Sequence, residues 1–235
     1  MTQKTGRENT NGTGVSLLFR LEEKQGTRPL YERTFADSVP YTDYYYREKC
    51  RDNVIAVKEE RGEVLSMAHL NPYLFSVCGL PVRIYMLAAV ATVPERRREG
   101  HMRDVLAASF AWLAEQGVPF AILLPVDPGI YLPFGFETVC GFTEQEPEAE
   151  ELKKEYDIYC LRDLAARDRR AAERAVDAAL GAAGLEDEAW PGDPVIMAKV
   201  TDPAAFDRMA GQRFDDDTSR LVWLRGRRIC VSDGV

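Results

Sequence analysis

Histidine is nearly missing from this 235-residue chain, which has only two, and its five cysteines (Cys50, Cys78, Cys140, Cys160, Cys230) lie far apart with no Cys-x-x-Cys pair. That pattern excludes a zinc site and a disulfide framework, so no metal is expected and free thiols in a reducing cytoplasm fit best. Long hydrophobic runs are also missing: no stretch approaches the roughly 20 uncharged apolar residues of a membrane span. Met1 to Gly14 is polar and reads as a disordered tail, neither a secretion signal nor an anchor. Positive charge is in deficit, with 30 Lys and Arg against 38 Asp and Glu and a net charge of −8. A general nucleic-acid binder is therefore not expected, and neither is a membrane partner. No internal repeat is visible, and a homo-oligomer is left open.

What is present is ordinary for a globular protein, with 46% hydrophobic and 29% charged residues and a length suited to one well-buried domain plus a smaller part. Val15 to Leu21 reads as a strand, and Lys24 to Phe35 as a helix with Leu30, Tyr31 and Phe35 near helical spacing. A second short helix follows around Tyr41, Tyr44, Tyr45 and Tyr46, of which about two are expected to face the core. Asn53 to Glu60 and Glu63 to Leu70 flank Arg61-Gly62 as a hairpin, with Tyr73 to Cys78 as a third strand. His69, on the second hairpin strand, reads as a structural residue. Val82 to Val93 is a long, nearly uncharged strand, and apolar faces on both sides make it central.

The stretch Thr92 to Leu106 joins the end of that strand to a proline, three arginines, a glycine and a periodic segment. Met102, Val105, Leu106, Phe110 and Leu113 recur at helical spacing, and Gly117 is placed as the residue just beyond the helix. A strand, a tight loop and a helix start point unpaired backbone N–H groups forward, which suits an anion. Arginines in a first turn oppose the helix dipole unless an anion compensates them. Gly100 lets such an anion approach the backbone closely. Pro119 to Leu124 is the next strand, parallel to the first, and Phe134 to Gly141 is expected to be the last of the sheet.

Val90 to Leu106 resembles motif A of the GCN5-related N-acetyltransferases, whose loop reads Arg/Gln-x-x-Gly-x-Gly/Ala. Gly129 to Glu137 (Gly-Ile-Tyr-Leu-Pro-Phe-Gly-Phe-Glu) resembles their motif B. Pro-x-x-Arg-Arg with Gly-His and Gly-Ile-Tyr-x-x-Phe-Gly-Phe, together with Arg-Pro-Leu-Tyr-Glu at 28 to 32 and Asp-Tyr-Tyr-Tyr-Arg-Glu at 43 to 48, are similar to the enhanced intracellular survival branch of that family. The resemblance implies an α/β fold of the acyl-CoA N-acyltransferase type, with a mixed, mostly antiparallel sheet whose fourth and fifth strands are parallel and splay apart. It implies acetyl-CoA as co-substrate and a primary amine, on a small molecule or an exposed lysine, as acceptor. Val90, Ala91 and Thr92 would pair with pantetheine, and Val126 would flank it. The pyrophosphate would rest on the loop and helix start, Arg97, Arg98, Glu99, Gly100, His101, Met102 and Arg103. Tyr131 matches the motif B tyrosine that acts as general acid to the departing thiolate. Met102 stands where Gly or Ala is usual, and Glu99 brings a carboxylate to the pyrophosphate.

After Gly141 the composition becomes acidic over Glu144 to Glu155, and Leu161 to Leu180, rich in Ala and Arg, reads as a helix. Gly181 to Pro194 reads as a loop, Val195 to Val200 as a strand and Pro203 to Met209 as a helix. Arg220 to Leu224 and Arg228 to Val231 read as a hairpin. Val195 to Phe206 resembles the opening of the sterol-carrier-like domain found in the same branch. The expected organisation is a tail (1–14), an acetyltransferase domain (15–145), a helical linker (146–190) and a small C-terminal module (191–235). The expected function is acetyl transfer to an amine. A non-catalytic acyl-CoA-binding or interaction module is the alternative.

Overall fold

The computed structural model of the chain describes residues 8–9, 14–143, 147–161, 193–232 and, between these, 171–172, 174–176, 178–179 and 181–182. Two compact units form: Met1–Asn71 with Ala88–Phe110 and Arg162–Glu188, and Pro72–Leu87 with Ala111–Leu161 and Ala189–Val235.

In the first unit, β1 (Glu8–Asn9), β2 (Val15–Leu18), β3 (Val54–Glu60) and the first part of β4 (Glu63–Val77) form an antiparallel meander. β3 and β4 turn at Arg61 and Gly62, both with positive φ (52° and 85°), so the dipeptide forms the tight turn that its composition predicts. Two short helices follow β2, α1 (Leu21–Lys24) and α2 (Arg28–Thr34), and then α3 (Val39–Arg47). The Ser38 hydroxyl caps α3 by accepting from the Tyr41 N–H at 3.3 Å. Three of its tyrosines are buried, Tyr44 and Tyr45 at 0% exposure and Tyr46 at 1%, against an expectation of about two. A surface helix hides only one stripe, whereas this one has neighbours on several sides: Tyr31 and His69 both contact the Tyr45 and Tyr46 rings.

The chain from 63 to 77 is one strand and not two separated at Leu70. Its ladder with β3 ends at Val54↔Leu70, and a new one with β8 (Ile158–Cys160) begins at Phe75. Pro72 lies in the gap between these ladders, where its missing N–H leaves no rung of either unpaired.

The second unit holds the rest of β4, the start of β5 (Leu80–Thr92), β6 (Phe120–Leu123), β7 (Glu137–Gly141), β9 (Val195–Val200) and β10 (Ile229–Cys230). β5 and β6 are parallel from Tyr85↔Ala121 to Leu87↔Leu123. Their connection is α4 (His101–Glu115), ended by Gly117 at φ 68°. The sheet is thus mixed and mostly antiparallel, with β5 central as expected from its apolar run. β9 lies between β6 and β7, antiparallel to both. Residues 195–200, expected in a separate C-terminal module, are therefore part of the sheet. Their alternate residues Ile196, Ala198 and Val200 enter a core with Phe206, Leu221 and Leu224.

Those last three belong to α6 (Pro203–Ala210) and α7 (Asp217–Arg225). Residues 217–225 are a helix where a hairpin strand was expected. Asp216 accepts from the Ser219 N–H at 2.7 Å as its cap, and Arg220 turns inward to Asp207 (2.8 and 3.1 Å) and to the Phe214 carbonyl (3.1 Å). β10 pairs parallel with β8. β7 begins at Glu137, three residues after the expected Phe134, because Leu132–Phe134 is a 3-10 turn closed by Gly135 at φ 82°. The acidic segment contributes α5 (Ala149–Glu155). The predicted helix 161–180 and loop 181–194 fall mostly outside the described residues. Among the described residues no helix is long and apolar enough to cross a membrane.

Candidate functional site

In the first unit β5 continues past its parallel ladder to Thr92. Ala89 has φ 46°, an uncommon conformation for a residue with a Cβ, and it marks an irregularity in the strand. β4 holds the far end: the Val93 N–H donates to the Leu65 carbonyl (2.9 Å), and the Ser66 hydroxyl donates to the Ala91 carbonyl (2.9 Å) and meets Thr92 Oγ1 (2.9 Å).

The loop then makes one 3-10 turn at Pro94–Arg96, runs extended through Arg97, and turns left-handed at Arg98 (φ 67°) and Gly100 (φ 88°). Nothing lies within 4 Å of where a Gly100 Cβ would stand, so the space before this backbone is open. The Asp104 N–H is the first to reach back along the helix, to the Gly100 carbonyl at 3.1 Å. The N–H groups of His101, Met102 and Arg103 therefore precede the helical ladder, and Gly100 has no side chain to cap them. Such donors at a helix start suit an anion.

Charges around the loop are ordered. Arg96 lies between two carboxylates, with its Nε 2.7 Å from Glu99 Oε2 and an Nη 2.7 Å from Glu60 Oε2. His101 Nε2 is 3.2 Å from the same Glu99 oxygen, while its Nδ1 is buried with no hydrogen-bond partner among the described residues. The Arg96 guanidinium is the main reason that Glu99 and Glu60 both titrate below the usual carboxylate range. Arg97 donates through Nε to the Thr92 carbonyl at 3.4 Å, and Arg98 and Arg103 are exposed. Lys58 from β3 pairs with Asp104 in the first turn of α4, and Arg33 from α2 pairs with Glu95.

In the second unit Val126 is 71% exposed, the most open of the large apolar side chains among its described residues. The Asp127 carboxylate accepts from the Gly129 N–H at 2.8 Å and starts the turn that carries Tyr131. The Tyr131 carbonyl accepts from Phe134 (3.0 Å) and Phe136 (3.4 Å), and its ring meets the Phe136 ring edge-on at 5.9 Å. The side chain is half-buried, and burial pushes its hydroxyl up to about 12. Val90 to Thr92 and Arg97 to Arg103 thus belong to the first unit, and Val126 and Tyr131 to the second.

Sequence reading missed two sets of residues. In the sequence Arg96 is one of three adjacent arginines with nothing to set it apart, and its carboxylate partner Glu60 lies 36 positions away. The other set is an interior polar group: Lys24 Nζ donates to the Cys50 (2.8 Å) and Asn53 (2.6 Å) carbonyls, Asn53 donates to Asn71 (3.1 Å), and Tyr45 OH meets His69 Nδ1 at 3.1 Å. Lys24 and His69 are fully buried, and burial lowers Lys24 to about 8 and His69 to about 3.

The family model of the acetyltransferase (GNAT) domain matches residues 19–139, just over half of the chain. Among solved structures, a "Probable N-Acyltransferase" of Enterococcus faecalis V583 aligns at TM-score 0.50 and 19% identity, over 58% of this chain and 33% of its own. A GCN5-related N-acetyltransferase from Anabaena variabilis ATCC 29413 aligns at 0.48 and 21% identity, over 54% and 33% respectively. One from Kribbella flavida aligns at 0.51 and 13% identity, over 82% and 73%. This chain thus spans about a third of the length of the first two, and the likenesses to the Enterococcus and Kribbella proteins concern the fold. No curated protein matches the sequence.

Proposed function

Because the chain belongs to the GNAT acetyltransferase family, we propose that it transfers the acetyl group of acetyl-CoA to a primary amine, on a small molecule or an exposed lysine, by direct attack in a ternary complex. The observation that carries this reading is the end of β5. Its parallel ladder stops at Leu87↔Leu123 while the strand runs on to Thr92 and into an open, left-handed loop before α4. Backbone of Val90, Ala91 and Thr92 is free of that ladder and available to pantetheine amides, and the family resemblance assigns Val126 to flank the pantetheine. The N–H groups at His101 to Arg103 take the pyrophosphate, helped by Arg97 and Arg98 and given access by Gly100. The motifs at 28 to 32, 43 to 48 and 129 to 137 favour the enhanced intracellular survival branch.

In the transfer the amine lone pair attacks the thioester carbonyl carbon, the C–S bond breaks and its electron pair leaves with sulfur, and the proton that the amine loses passes to solvent, from which the thiolate is reprotonated. Tyr131 is protonated at neutral pH and donates to that sulfur. An ordinary thiol titrates near ~8.5, well below about 12 for Tyr131. Full proton transfer from the hydroxyl would thus run uphill, and the tyrosine acts by hydrogen-bonding the developing thiolate. The net charge of −8 favours cationic acceptors through steering.

The test is thiol release with acetyl-CoA over polyamines, aminoglycosides, amino acids and lysine peptides. Turnover with at least one amine is expected. Tight acetyl-CoA binding without turnover on any of them would turn the reading towards a non-catalytic acyl-CoA-binding module.

A further inference from the structure

A carboxylate at position 99 stands in a loop read here as a pyrophosphate cradle, and Coulomb repulsion should count against it. The geometry around it resolves the conflict. Glu99 does not face the N–H groups of His101 to Arg103 unopposed. Its Oε2 is taken by Arg96 Nε at 2.7 Å and approached by His101 Nε2 at 3.2 Å. Arg96 is itself anchored from β3, through Glu60 at 2.7 Å. The chain Glu60, Arg96, Glu99 and His101 therefore runs from a strand through the loop to the first residue of α4. With both its Nε and one Nη engaged by carboxylates, Arg96 differs from its neighbours: Arg98 and Arg103 are exposed, and Arg97 leans on the Thr92 carbonyl at 3.4 Å.

We infer that Arg96 is a positioning residue: it draws the Glu99 carboxylate aside and neutralises it, so that a diphosphate meets backbone donors and not a negative charge. The inference rests on the acetyl-CoA reading above. Arg97 and Arg98 remain the arginines that can meet the ligand. The lowered titration of both Glu60 and Glu99, caused chiefly by Arg96, is in keeping with two ionised carboxylates sharing one cation. Glu60 acts one step further out, as the anchor that keeps Arg96 from turning to the phosphates itself.

A double-mutant cycle separates this role from a direct phosphate contact. CoA binding is measured by calorimetry for wild type, R96A, E99Q and R96A/E99Q, with thermal melts to confirm that each is folded. R96A should weaken binding about ten-fold, because it frees a carboxylate near the diphosphate. E99Q should bind within about two-fold of wild type, and R96A/E99Q should recover to within about three-fold. The salt dependence of the double variant should match that of wild type, since no phosphate contact has been lost. A double variant as weak as R96A, or an R96A protein that binds like wild type, overturns the inference while leaving the acetyl-CoA reading intact. Wild-type protein that binds no CoA overturns both.

Discussion

The two histidines of this chain sit in the same unit and show opposite uses of a polar group. His69 is wholly buried, meets only the Tyr45 hydroxyl and the Cys50 thiol as hydrogen-bonding groups among the described residues, and is driven neutral by burial. His101 lies at a helix start beside the Glu99 carboxylate, in a chain of charges that reaches solvent through Glu60 and Arg96. Where water is excluded, the protein changes the titration of the group. In the loop the exposed carboxylates of Glu60 and Glu99 both face Arg96, and surface pairs of this kind add little to stability. The interior network should therefore govern folding, and the surface network ligand affinity.

The largest effect expected is acid destabilisation through His69. Unfolded, it takes up a proton below its ordinary value of 6.5, while the folded protein resists protonation to about 3. Its stabilising contribution is thus complete above pH 6.5 and lost as pH falls towards 3. The loss reaches about 5 kcal/mol. Denaturant unfolding at a series of pH values checks this, and His69→Gln should flatten the acid limb. An acid limb equal to that of wild type would remove His69 from this role.

Gly100→Asp tests the surface side. It places a carboxylate in the open space before the loop, and CoA affinity should fall by about a hundred-fold or more. The melting temperature should move by only a few degrees, since the left-handed backbone costs a non-glycine residue roughly 1 kcal/mol. Tyr131→Phe should lower turnover by roughly ten- to hundred-fold with acetyl-CoA affinity nearly unchanged, because the hydroxyl acts only as charge develops on sulfur. Equal turnover would remove Tyr131 from the chemistry. The smallest effect expected is from Asp216→Ala, which removes the cap of α7 and should cost about 1 kcal/mol in denaturant unfolding, without effect on CoA binding.

Much of the fold was legible in local pattern. A strand of uniform apolar residues, a proline, a glycine and a period near 3.6 were enough to place β5, the loop and α4, because each signal acts through its immediate neighbours. The run Leu221, Val222, Trp223, Leu224 was not legible in the same way. Short apolar runs suit either a strand or a buried helix, and here the Asp216 cap and the ion pair of Arg220 with Asp207 decide for the helix. The likeness of residues 195–206 to another domain said nothing of pairing, so the position of β9 between β6 and β7 emerged only with the sheet.

For the candidate site, Gly100 and the neighbouring arginines stand out in the sequence by kind and spacing, and Tyr131 by its resemblance to motif B. The direction of Glu99 does not, since it depends on Arg96 and, behind it, on Glu60, which the β3–β4 meander brings back from 36 positions away. The sequence by itself determined the succession of β5, loop, α4 and β6, the glycine before α4 and the supply of charge around it. Tertiary structure alone decided which charges cancel and that His69 is kept neutral, because pairing and exclusion of water depend on neighbours that are distant along the chain.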